Sequence, residues 1–246
     1  MKHLLLFLLM GMILSSCSYL PEEGGIDSNL RRDRGDYALY YSSEIMPEHA
    51  FFLVPGGLVD PYVYECWIDQ LVRSDSSLAV VLVKYPSNLA ITNSSKVMKV
   101  AGELPEFSHR VIGGHSLGGV VAASLVHDHM DYFDGLVLMA SWAIRSSDLS
   151  TWDGMVLSVY ASKDQLATGD EIFQYSEYLP RGDSISSPGE VTGSKGVTYY
   201  YEIAGGNHSG FGCYGQQEGD GEATISSAEQ QDELVHLLTS FFNALW

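Results

Sequence analysis

The chain has 246 residues, of which 46% are hydrophobic and 18% are charged. This composition fits one globular domain with a sizeable core and excludes a disordered or fibrous protein. Thirteen Lys and Arg residues against thirty-one Asp and Glu residues give a net charge of −18. Because nucleic-acid binding needs a basic face, we expect no nucleic-acid partner.

The first seventeen residues have the layout of an export signal. A basic start at Lys2 precedes an apolar run over residues 4–14 that is too short to span a bilayer, and small residues follow it. The segment Leu14-Ser15-Ser16-Cys17 resembles the bacterial lipobox. That resemblance implies that residues 1–16 are removed, that Cys17 carries lipid, and that the protein is exported and anchored to a membrane of the bacterial cell envelope.

An ordinary cleaved signal with an incidental cysteine is the alternative to that lipid anchor. Residues 17–36 are polar and lack a hydrophobic period, so we expect a lipidated tether before a domain over residues 37–246. Two further cysteines, Cys66 and Cys213, lie in that domain. An exported compartment permits disulfides, so a bridge and two free thiols both stay open.

From Tyr37 onward, short β-branched or aromatic runs alternate with helix-like stretches. This alternation predicts an α/β fold with a mostly parallel sheet of about seven to eight strands and helices on both faces. The predicted strands are Ala38–Ser42, Ala50–Val54, Leu78–Val83, Arg110–Gly113, Leu136–Ala140, Met155–Tyr160 and Val197–Ile203.

Apolar residues at helical spacing predict helices over Pro61–Arg73 and Leu117–Met130, and a capping box at Ser226 predicts a C-terminal helix. Residues 168–195 are expected to be mostly loop, apart from a helical stretch around Ile172–Tyr178. Residues 209–224 are also expected to be a loop. The fourteen residues between the fifth and sixth predicted strands are too few for a cap domain.

A candidate nucleophile stands where the strand over Arg110–Gly113 meets the next helix. The sequence there is Gly114-His115-Ser116-Leu117-Gly118, a G-x-S-x-G pattern in the strand–turn–helix context that exposes a serine hydroxyl. The turn is so tight that side chains two positions on either side of Ser116 would clash, so both flanking positions need glycine. Ser116 is therefore the predicted nucleophile.

A serine hydroxyl needs a base and an acid to activate it, in the chain order Ser, Asp, His for this kind of sheet. Asp164 and His208 each follow a predicted strand, so the three side chains should meet at one edge of the sheet. Asp170, at the start of the next helix, is the reserve acid. We expect His115 to shape a pocket rather than to act as the base.

Acyl transfer also requires backbone N–H groups that bind the developing oxyanion. We expect one from Leu117 and a second from the loop Pro55-Gly56-Gly57-Leu58, with Gly57 favoured and Leu58 in reserve. The acidic loop over residues 218–222 lacks the spacing of a calcium site, so we expect it to be solvated and predict no metal site.

Together, Gly114-His115-Ser116-Leu117-Gly118, Asp164 and His208 resemble the α/β-hydrolases, over roughly residues 37–246. Three longer motifs resemble the small, lid-poor bacterial group called α/β-hydrolase fold-5, which is similar in scale to dienelactone hydrolases. These are Val54-Pro55-Gly56-Gly57-Leu58-Val59, Lys84-Tyr85-Pro86-Ser87-Asn88-Leu89-Ala90 and Gly205-Gly206-Asn207-His208-Ser209-Gly210-Phe211-Gly212.

The resemblance implies a Ser-His-Asp hydrolase without a cap domain. The chain departs from the family pattern at Pro55, where the oxyanion loop usually has histidine, and at Ala161, where glycine often precedes the acid motif. Neither departure removes a catalytic side chain.

The sequence therefore predicts a serine hydrolase of carboxylic esters that acts on a small or exposed ester without a cofactor. An amide or peptide hydrolase with the same triad, and a non-catalytic envelope lipoprotein that uses the fold to bind a ligand, are the alternatives. The predicted pocket walls are Leu58, Tyr62, His115, Trp142 and Phe211.

Overall fold

A computed structural model of the protein describes residues 18–22 and 28–246. The predicted signal peptide and Cys17 lie outside the described residues. Nine strands form one sheet. They are β1 (Arg31–Asp33), β2 (Tyr37–Tyr40), β3 (His49–Val54), β4 (Leu78–Val83), β5 (His109–His115), β6 (Gly135–Met139), β7 (Met155–Ala161), β8 (Gly182–Ser184) and β9 (Thr198–Ile203).

The strands follow the order β1-β2-β4-β3-β5-β6-β7-β9-β8 across the sheet. Strand β2 pairs antiparallel with β1 and β4, whereas every neighbouring pair from β4 to β8 is parallel. The predicted α/β class with a mostly parallel sheet is confirmed. Since parallel strands end at the same edge, the loops after β3, β5, β7 and β9 lie together there.

Five α-helices cover the two faces of the sheet in the described part of the chain. They are α1 (Glu65–Ser74), α2 (Lys96–Glu103), α3 (Leu117–Asp128), α4 (Gly169–Gln174) and α5 (Ser227–Leu245). Apolar side chains of α1 and α5 join one hydrophobic cluster, and those of α2 and α3 join the cluster on the opposite face. The predicted helix at Pro61 begins as a 3₁₀ turn over Pro61–Tyr64 and becomes α-helical at Glu65.

Two edge strands differ from the sequence prediction. Strand β1 lies in the segment expected to be a tether, where Arg32 pairs with Leu39 of β2. Strand β8 lies within residues expected to be loop and pairs with β9. Both are three-residue, largely polar strands at the sheet edges, so neither carries a hydrophobic alternation that a sequence can reveal.

The stretch before β1 also contacts the domain. The Tyr19 N–H donates to the Leu58 carbonyl at 2.8 Å, and the Asp60 N–H donates to the Tyr19 carbonyl at 2.8 Å. The part of the expected tether around Tyr19 therefore packs beside the loop that follows β3. Among the helices of the described residues, none combines the length and apolarity needed to cross a bilayer.

Candidate active site

Ser116 occupies the sharp turn between β5 and α3. Its backbone angles are φ 53° and ψ −126°, a conformation that costs a non-glycine residue about 1–3 kcal/mol and therefore needs support from its surroundings. The Ser116 N–H donates to the Met139 carbonyl at 2.9 Å, and the Ser141 hydroxyl donates to the Ser116 carbonyl at 2.7 Å. These bonds hold the half-buried serine at the carboxyl edge of the sheet.

The glycines around this turn have no room for side chains. A Cβ atom on Gly114 would lie 2.4 Å from the Gly118 carbonyl carbon, and one on Gly118 would lie 2.3 Å from the Val54 carbonyl oxygen. The steric requirement predicted from the G-x-S-x-G pattern is therefore present in the packing.

The loop after β9 brings His208 to the loop after β7. Nδ1 of His208 lies 2.8 Å from Oδ2 of Asp164, and both side chains are almost completely buried. Oδ1 of Asp164 accepts the N–H groups of Leu166 at 2.8 Å and Ala167 at 2.7 Å. Three hydrogen bonds thus fix the carboxylate, and the bond to Nδ1 leaves Nε2 as the ring nitrogen available for proton transfer.

Asp164 and Asp170, the two candidate acids from the sequence analysis, lie in different surroundings. Asp164 contacts His208, whereas Asp170 is exposed in the first turn of α4.

The Ser116 hydroxyl makes no hydrogen bond with a described residue. The hydrogen bond between a catalytic serine and histidine is often long without substrate and shortens when substrate binds. Proton transfer here therefore requires the Ser116 hydroxyl and His208 to come closer together.

The predicted oxyanion donors lie next to one another. A Cβ atom on Gly57 would be 3.0 Å from Cδ2 of Leu117. Leu117 is the first residue of α3, a position whose N–H has no partner within a helix. The Leu58 N–H, the reserve donor, is engaged by the Asn88 carbonyl at 2.8 Å, whereas the Gly57 N–H has no partner among the described residues. The geometry therefore favours Gly57.

The predicted pocket residues fall into two groups. Leu58, Tyr62 and Trp142 are half-buried, and Trp142 stacks on Tyr175 with ring centroids 5.2 Å apart. His115 and Phe211 have no exposed surface.

His115 instead packs in the interior beside the candidate base. Its ring centroid is 4.6 Å from that of His208 and 5.6 Å from that of Phe211. Burial, and secondarily the neighbouring His208, hold the pKa of His115 well below its usual value, so His115 is neutral.

Two side chains that sequence reasoning missed support the site. Tyr64 contacts both Gly56 and His115. Asp220, in the loop expected to be solvated, accepts the backbone N–H of His208 at 3.2 Å. These pairs lie 8 to 51 residues apart in the chain and follow no motif, so no local pattern signals them.

Neither a metal centre nor a disulfide accompanies these groups in the part of the chain that the structure describes. No cluster of three or more His, Cys, Asp or Glu side chains there is placed to hold a metal ion. Cys66 and Cys213 are free thiols, and the Cys66 thiol and the Cys213 N–H both donate to the Val63 carbonyl, at 3.0 and 2.9 Å.

A serine on a strained strand–helix turn, with a histidine–carboxylate pair at the same sheet edge, defines the site of the α/β-hydrolase fold. A family model described as the alpha/beta hydrolase family matches residues 50–232. The chain belongs to the alpha/beta hydrolase family.

Solved structures share the fold at low sequence identity. Est1E from Butyrivibrio proteoclasticus is 12% identical with a TM-score of 0.58, over 87% of this chain and 96% of that one. A thermophilic esterase from Thermogutta terrifontis is 10% identical with a TM-score of 0.56, over 87% and 96%. A monoacylglycerol lipase from Paleococcus ferrophilus is 14% identical with a TM-score of 0.58, over 83% and 98%. No curated protein matches the sequence.

Proposed function

We propose that the protein is a serine hydrolase that cleaves carboxylic esters through an acyl-enzyme. The observation that carries the proposal is the buried His208–Asp164 pair, 2.8 Å apart, at the sheet edge where β5 delivers Ser116. Structural neighbours named as an esterase and a lipase support esters over other acyl compounds.

In the proposed reaction the Ser116 hydroxyl oxygen attacks the acyl carbon while Nε2 of His208 takes its proton. Asp164 holds the imidazole by Nδ1 and stabilises the imidazolium that forms. The carbonyl oxygen, now negative, accepts hydrogen bonds from the N–H groups of Gly57 and Leu117. His208 then protonates the leaving alcohol, and a water molecule activated by His208 releases the acid and restores Ser116.

The proposed substrate is small, or carries an exposed ester group. Only fifteen residues, 140–154, separate β6 from β7 around the segment where Trp142 lies, which leaves no room for a cap domain there. An open site favours short acyl groups over long chains that need an enclosing apolar channel.

Matched substrates test the proposal and separate it from amide hydrolysis. We would measure kcat and KM for p-nitrophenyl acetate, butyrate and decanoate, and for the corresponding anilides, with wild-type protein and Ser116→Ala. The proposal predicts turnover of the short esters, much slower anilide cleavage, and loss of both in Ser116→Ala. Faster anilide than ester cleavage would make the protein an amidase. Ester turnover retained by Ser116→Ala would rule out the serine mechanism.

We also propose that the mature protein is anchored to a membrane by lipid on Cys17. The proposal rests on the leader pattern Leu14-Ser15-Ser16-Cys17, which precedes the domain. Growth of a bacterial expression host with an alkyne analogue of palmitate tests it. Label on the wild-type chain but not on Cys17→Ser is expected, and an unlabelled, released wild-type chain would contradict it.

A further inference from the structure

The hydroxyl of Tyr64 connects two segments of the active site. Its oxygen accepts the Gly56 N–H at 2.9 Å and lies 3.0 Å from Nδ1 of His115. Tyr64 and His115 have no exposed surface, so no water competes for these contacts from the solvent side.

We assign the Tyr64 hydroxyl as the donor to Nδ1 of His115, because its oxygen already accepts the Gly56 N–H. In this assignment the imidazole proton of His115 is on Nε2, a buried nitrogen without a hydrogen-bond partner among the described residues. The hydrogen bond then couples the tautomer of His115 to Tyr64.

Gly56 and His115, the two partners of the Tyr64 hydroxyl, each precede a group of the proposed reaction. Gly56 precedes Gly57, the favoured oxyanion donor, and His115 precedes Ser116. The packing of Gly56 against His115 is tight, since a Cβ atom on Gly56 would lie 3.1 Å from Nδ1 of His115 and 3.2 Å from the Tyr64 oxygen. A displacement of the tyrosine hydroxyl would therefore change the spacing of the two segments.

We propose that Tyr64 is a positioning residue, which through its hydroxyl and His115 sets the distance between the oxyanion donor of Gly57 and the nucleophile Ser116. This role rests on the proposed hydrolase function. It assigns to Tyr64 no contact with substrate. The hydroxyl acts through its two partners alone.

The same hydrogen bond also affects the charge of His115, which lies next to the proposed base His208. The ring of His115 lies 4.6 Å from that of His208, which becomes an imidazolium during the reaction. A second positive charge at that distance would oppose the proton transfer. Burial keeps His115 neutral, and a hydrogen bond donated by Tyr64 to Nδ1 stabilises the same neutral form.

The test compares Tyr64→Phe with the matched control Tyr40→Phe. Each substitution removes one hydroxyl from a fully buried tyrosine. The Tyr40 hydroxyl donates to Glu65 at 2.6 Å, and neither Tyr40 nor Glu65 has a hydrogen bond with Ser116, Asp164 or His208. We would measure kcat and KM for p-nitrophenyl acetate and the melting temperature. Tyr64→Phe is expected to lower kcat about 10- to 100-fold with KM little changed, because a displaced oxyanion donor acts in the transition state. Tyr40→Phe should lower the melting temperature without that loss of kcat.

A second pair of variants tests the role of Nδ1 directly. His115→Asn retains an oxygen near the place of Nδ1, whereas His115→Leu has a similar size and no acceptor. His115→Asn should therefore keep more of kcat than His115→Leu. An unchanged kcat in Tyr64→Phe, or equal losses in Tyr64→Phe and Tyr40→Phe, would overturn the positioning role while leaving the hydrolase intact. Wild-type protein without ester turnover would instead refute the proposed function, and the positioning role with it.

Discussion

Asp220 holds the main chain of His208, while Asp164 holds its imidazole. Oδ1 of Asp220 accepts the His208 N–H at 3.2 Å, and Oδ2 accepts both the N–H and the hydroxyl of Ser209 at 2.9 Å. From the other side, Oε1 of Gln230 in α5 accepts the Asn207 N–H at 3.0 Å. The loop that carries the candidate base is thus fixed on both sides of the histidine.

Replacement of Asp220 by alanine should loosen this loop. Four donors, the three of His208 and Ser209 and the Gly221 N–H at 2.8 Å, lose a charged acceptor. We therefore expect the free energy of unfolding to fall by about 2 kcal/mol and ester turnover to fall with it. Urea unfolding and kcat measure the two effects. Glu218→Ala is the control, because Glu218 is an exposed acid of the same loop. Equal behaviour of the two variants would show that Asp220 does not support His208.

Asp164→Asn should impair the base without a change of shape. The amide keeps the size of the side chain but loses the charge that stabilises the imidazolium, so we expect kcat to fall by about 10²- to 10⁴-fold. Asp170→Asn is the matched control, since Asp170 is an exposed acid nearby in the chain. A large loss of activity in Asp170→Asn, with activity retained in Asp164→Asn, would show that Asp170 and not Asp164 is the acid.

The elements and residues that could be predicted from the sequence are those with a local signal. The strand before Ser116 and the helix after it follow from hydrophobic runs, and the glycines of the turn follow from its steric demands. The contacts of Tyr64 with His115 and of Asp220 with His208 join residues brought together by folding. Neither contact follows a characteristic sequence spacing. Sequence motifs therefore identify the reacting groups but not the residues that position them.

Alkaline pH should destabilise the protein through its buried phenols. Burial raises the pKa of Tyr200 to about 12, and burial with a hydrogen bond to Glu233 raises the pKa of Tyr201 to about 12. An unfolded chain loses these protons near pH 10, so the stabilisation is complete below pH 10 and is lost as pH rises towards about 12. Urea unfolding from pH 8 to 12 measures this slope. Tyr200→Phe should reduce the slope, and an identical slope in both proteins would contradict the assignment.

The two free thiols should differ in reactivity. The neighbouring Cys213 thiol, together with burial, raises the pKa of Cys66, whereas the neighbouring Cys66 thiol lowers the pKa of Cys213. Because the thiolate is the nucleophile, iodoacetamide should modify Cys213 before Cys66. Timed alkylation with peptide mapping distinguishes the sites. Earlier modification of Cys66, or a disulfide between the two in protein purified without reductant, would contradict this prediction.

Covalent labelling tests whether His208 and Asp164 activate Ser116. We would treat folded wild-type protein, Ser116→Ala and His208→Ala with a fluorophosphonate, and determine the adduct and its position by intact-mass and peptide mass spectrometry. We expect one adduct per wild-type chain, located on Ser116, slow labelling of His208→Ala and none of Ser116→Ala. A folded wild-type protein that remains unlabelled, or an adduct on another residue, would contradict it.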